Sequence, residues 1–112
     1  MSTDRELLEL AAKAAGYDYA KHGGYIVVDG IPGNWNPLVD DGDALRLAVK
    51  LKIAFFPPEN DEGDFAVAAI AEGVLSDDGD AWIQEWVKGG DKLAATRRAI
   101  VRAAAEIGRS VP

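Results

Sequence analysis

Apolar residues recur at helical spacing in three stretches of the chain, and between them lie short runs rich in β-branched and aromatic residues. Leu7, Leu8, Ala11, Ala14 and Ala15 fall on one face of a helix predicted over about 4–15. Thr3-Asp4-Arg5-Glu6 in front of it has the form of a capping box, and Gly16 behind it suits a left-handed stop. Tyr25-Ile26-Val27-Val28 has the composition of a short strand, followed by the turn signal Asp29-Gly30. Gly33 to Pro37 reads as irregular, because the residue before a proline is pushed out of the α region. Trp35 is expected to pin that loop to the body.

Asp40, Asp41 and Asp43 cluster where a second helix begins, opposite unpaired amides and the positive end of its dipole. That helix is predicted over about 41–51, with Leu45, Ala48 and Val49 forming its apolar face and Leu47 and Leu51 flanking it. Ile53 to Phe56 reads as a strand halted by Pro57-Pro58. Phe65 to Ala71 reads as a buried strand, and Ala81 to Val87 as one with Trp82, Gln84 and Trp86 on one face and Ile83, Glu85 and Val87 on the other. A long helix follows from Gly90-Asp91 to about Ile107, ending at Gly108, with Leu93, Ala94, Ile100, Val101, Ala104 and Ile107 inward.

The predicted order is α-β-α-β-β-β-α: an α+β fold whose mainly antiparallel sheet has four strands, the early strand joining a late meander. Helices on both sheet faces would make an α/β/α sandwich, whereas helices on one face would leave the two-tryptophan face open as an interface. At 112 residues the chain is expected to form a single domain over 1–112.

Composition narrows the chemistry. With 48% hydrophobic and 28% charged residues and no apolar run near the roughly 20 residues that span a bilayer, the chain reads as a globular protein without a membrane segment. MSTDRELLEL is acidic where a secretory signal is basic, so a cytoplasmic location is expected. The absence of cysteine removes disulfides, thiolate metal sites and a thiol nucleophile. His22, the sole histidine, is expected to be an exposed loop residue and argues against multi-histidine metal sites and a Ser-His-Asp mechanism. No glycine pattern forms a phosphate cradle. The tetrapeptide Asp-Asp-Gly-Asp occurs at 40–43 and 77–80, but lacks the ligand spacing of a calcium loop and reads as caps and turns. No cofactor, metal or catalytic residue is expected, and the protein reads as a non-enzyme.

The net charge of −7 is unevenly spread. Residues 53–87 hold nine acidic side chains and no Lys or Arg, while residues 88–112 hold six basic and two acidic ones. An acidic middle disfavours direct nucleic-acid binding. Arg97, Arg98 and Arg102 are the candidates for phosphate contact, with pairing to the acidic helix start as the structural alternative. Trp82 and Trp86 are candidate partner-binding residues, together with the acidic residues Glu59, Asp61, Glu62, Asp77, Asp78 and Asp80.

The segments WNPLVDDGDALRLAVKL, AATRRAIVRAAAEIG and RELLELAAKAAG resemble those of the small phage and prophage proteins grouped as the phage ABA sandwich domain family. The resemblance covers about 45 residues and marks structure, with no catalytic assignment to carry over. It implies an α/β/α sandwich, a phage or prophage origin and hence the cytoplasm of a host cell. Three functions stand as expectations. The first is a non-catalytic protein-interaction module with a protein partner or self-association; the second is an acidic inhibitor occupying a nucleic-acid site of a host defence complex; the third is a small hydrolase or nucleotide binder.

Overall fold

The computed structural model describes residues 3–19, 25–28, 31–58, 65–70 and 82–111, with the backbone alone at 25–28 and 31–32. Among the described residues, three helices and five strands follow in the order α1 (Asp4–Ala15), β1 (Tyr25–Val28), β2 (Ile31–Asn34), α2 (Asp41–Leu51), β3 (Ala54–Phe56), β4 (Phe65–Ala69), β5 (Trp82–Trp86) and α3 (Lys92–Ser110). The protein is therefore a mixed helix and sheet fold, as its periodicities predict. His22 lies outside the described residues.

The helix ends obey local chemistry. Thr3 accepts from the Glu6 amide at 3.1 Å and donates its hydroxyl to the Glu6 carboxylate, Asp40 accepts from the Asp43 amide at 2.8 Å, and Asp91 accepts from the Ala94 amide at 2.9 Å. Gly16 closes α1 at φ 80°, where a side chain would cost energy. Lys52 closes α2 in the same left-handed region at φ 58°, so a non-glycine residue carries that strain.

Strands β3, β4 and β5 form an antiparallel meander in that spatial order. The strand at 25–28 does not join it: β1 pairs with β2 in a separate two-stranded hairpin, Val28 opposite Ile31. The described sheet thus has three strands where four were expected. Pro32 and Gly33 hide β2 in the sequence, yet a two-stranded ribbon has free edges that tolerate a proline.

Helix α3 lies across β3, β4 and β5, and α1 and α2 pack on α3. The covered sheet face contributes Ala66, Ala68 and Ile83 to a core completed by Leu7, Leu8, Leu47, Ile100, Val101 and a run of fully buried alanines in α1 and α3. Two expected faces are corrected. In α2 the buried side is Ala44, Leu47 and Ala48, leaving Leu45 and Val49 exposed; in α3, Leu93 is exposed. Both helices carry apolar residues over much of their circumference, so periodicity left the docking angle open and packing on the neighbouring helix chose it. Helix α3 also runs through Gly108, which serves close packing inside the helix and does not end it.

Candidate functional site

Side-chain alternation along β3, β4 and β5 sorts their residues onto two faces. Burial alternates along β4 and β5, with Ala66, Ala68, Ile83 and Glu85 turned toward α3. The other face carries Ala54, Phe56, Phe65, Val67, Ala69, Trp82, Gln84 and Trp86. The register arranges it in three rows: Phe65 beside Trp86, then Phe56, Val67 and Gln84, then Ala54, Ala69 and Trp82. Trp82 is 64% exposed, Trp86 57% and Phe56 53%. Phe65 meets Trp86 edge-on with ring centroids 5.1 Å apart, a cross-strand aromatic pair that orders the exposed indole. Of the candidate partner-binding residues, Trp82 and Trp86 are thus brought to one open surface. Glu59, Asp61, Glu62, Asp77, Asp78 and Asp80 lie outside the described residues.

The third tryptophan has the opposite fate. Trp35 is 5% exposed and packs edge-on against Tyr17 and Tyr19, with centroids 5.7 and 5.5 Å apart. The following turn is held by Asp43, which accepts from the Asn36 amide at 3.0 Å, and by Asn36, which accepts from the Leu38 amide at 3.1 Å. These bonds occupy the first Asp-Asp-Gly-Asp segment with capping and turn work, its Asp43 also pairing with Arg46 at 2.7 Å. The second segment, 77–80, lies outside the described residues. Among the described residues no group of three His, Cys, Asp or Glu side chains could hold a metal ion.

The three arginines do not form one cluster. Arg97 turns toward α2, donating to the Leu38 carbonyl at 2.9 Å and to Asp41 at 2.6 Å. Arg102 turns toward the sheet and donates to the Gln84 carbonyl and the Glu85 carboxylate, both at 2.7 Å. Arg98 donates to Asp4 at 2.8 Å and lies 3.7 Å from Glu85. Glu85, 8% exposed, is the buried charge among the described residues, and its two arginines tie β5 to α3 while Arg98 extends the link to α1. Sequence reasoning missed this brace, although alternation already put Glu85 on the inward face, where a carboxylate needs a cation. Glu85, Lys88, Arg98, Arg102, Glu106 and Arg109 line an open groove of about 390 Å³ beside β5.

A second groove, of about 220 Å³ and mostly apolar, lies between Leu45, Phe55, Leu93 and Ile100, with the Arg97–Asp41 pair at its edge. No described helix is long and apolar enough to cross a membrane. No family model, curated protein or solved structure matches the chain.

Proposed function

We propose that this protein is a non-catalytic protein-interaction module whose contact surface is the open face of the β3–β4–β5 sheet. One observation carries the proposal: Trp82 and Trp86, each more than half exposed, stand on the same side of one strand and extend an apolar surface across the sheet. Water-exposed tryptophan on a rigid scaffold is the residue type that dominates binding energy when a partner covers it. A strand lends it rigidity, because its backbone is held by the ladder to β4. A phage- or prophage-encoded protein acting in the cytoplasm of a host cell, of the phage ABA sandwich kind, remains part of the proposal on the strength of the three resembling segments. In the sandwich form the open face would acquire a second covering layer.

The test is affinity capture from the native host with the wild type and a Trp82→Ala/Trp86→Ala variant. A partner or second copy retained by the wild type and lost by the variant is the expected result. Equal retention by both would remove the sheet face from the function.

A further inference from the structure

We propose that the groove beside β5 binds a small phosphomonoester, its phosphate held by Lys88, Arg98 and Arg102 and its organic part lying against Trp86. This is a small-molecule site at the edge of the sheet, and it needs no partner on the open face.

Charge points to an anion. The described residues lining the groove include four cations, Lys88, Arg98, Arg102 and Arg109, and two carboxylates, Glu85 and Glu106, an excess of two positive charges in a chain of net charge −7. Both carboxylates are already engaged. Buried Glu85 lies 2.7 Å from Arg102 and 3.7 Å from Arg98, and Glu106 lies 3.3 Å from Arg109. Asp4 draws on Arg98 from outside the lining, and a positive excess remains.

The cations also hold donors in reserve. Arg102 spends Nη1 alone, on the Gln84 carbonyl and on Glu85, so its Nη2 and Nε have no acceptor among the described residues. Arg98 spends Nη1 on Asp4 and points Nε toward Glu85, with Nη2 left over in the same sense. Lys88 is exposed and makes no ion pair with another described residue. The brace between β5 and α3 therefore uses only part of this charge. A phosphate dianion matches what remains: its oxygens accept from several directions, whereas a carboxylate brings one charge and two oxygens.

Size and lining extend the ligand beyond the phosphate. The groove of about 390 Å³ shares Glu85, Lys88 and Arg98 with a neighbouring one of about 280 Å³, whose other walls include Trp86, Ala94, Ala95 and Asp91. Together they reach the size of small-molecule sites. Trp86 is 57% exposed and offers ring surface to an apolar group, with the two alanines beside it leaving room. Asp91 at that end opposes a second phosphate, which makes the ligand a monoester.

NMR titration of the whole chain with inorganic phosphate and with phenyl phosphate, in about 50 mM salt, tests the proposal. Both probes should give saturable shifts at the amides of 85–88 and 98–109, and phenyl phosphate alone should also move the Trp86 indole N–H. Phenyl phosphate should bind at least about fivefold more tightly, because its ring leaves water. Lys88→Gln should weaken both probes at least about tenfold. Lys13→Gln removes the same charge from an exposed position outside the lining and should leave both within about twofold. Trp86→Ser should bring phenyl phosphate down to the affinity of phosphate and leave phosphate unchanged. Circular dichroism checks that each variant is folded.

No saturable shift with either probe up to about 10 mM overturns the proposal. So does an equal loss in Lys13→Gln and Lys88→Gln, which would reduce the effect to net charge. Phenyl phosphate no tighter than phosphate, or indifferent to Trp86→Ser, overturns the monoester and leaves an adventitious ion only. Failure to capture a protein through the sheet face changes none of these readings.

Discussion

Gly108 of α3 lies against the backbone carbonyl of Leu10 in α1, so close that a Cβ on Gly108 would stand 2.0 Å from that oxygen. Helices can meet at this distance only where one of them has no side chain. Because the obstacle is backbone, no rotamer change relieves it. Gly108→Ala is therefore expected to lower stability by about 2 kcal/mol or more, even though alanine favours a helix by roughly 1 kcal/mol over glycine. Chemical denaturation measures it, and an unchanged midpoint would mean that α1 and α3 are not packed this closely.

Glu85 should behave as a carboxylate with two guardians. Arg98→Ala leaves Arg102 on it, and Arg102→Ala leaves Arg98 nearby, so each single change should cost only about 1 kcal/mol. Removing both strands a charge that is 8% exposed, and the double variant should lose about 3 kcal/mol, more than the sum. A double-mutant cycle reads the excess directly; simple additivity would show that the two arginines do not share Glu85.

Lys52 and Gly16 make an opposed pair. Both close helices with positive φ, 58° and 80°, but only one is glycine. Lys52→Gly should raise stability by up to about 1 kcal/mol by removing strain, whereas Gly16→Ala should lower it by a similar amount. Thermal melts of the two variants should move in opposite directions.

The three tryptophans should separate by burial. Trp35→Ala removes a buried ring packed on two tyrosines and is expected to cost about 3 kcal/mol or more. Trp82→Ser and Trp86→Ser, measured at sub-micromolar concentration, should each cost less than about 1 kcal/mol, since most of each ring is already in water. Equal losses at all three positions would contradict the open sheet face.

Much of the fold is legible in the chain because its causes are local. The caps at Thr3, Asp40 and Asp91, the glycine stop at 16 and the alternation of β5 each depend on residues within one or two turns or on a single strand. Strand β2 was not legible, since Pro32 and Gly33 contradict strand propensity and only pairing with β1 sustains it. The docked faces of α2 and α3 were not legible either, because Leu45, Val49 and Leu93 are as apolar as the residues that were buried instead.

The candidate site divides the same way. The sequence by itself determined that Trp82, Gln84 and Trp86 share a face opposite Ile83 and Glu85, because a strand has a period of two. Only the tertiary structure decided which of those faces α3 would cover and that Arg97 would leave Arg98 and Arg102 for α2. Those outcomes rest on contacts between segments far apart in the chain, where burial and charge pairing are settled by what each face meets rather than by the face itself.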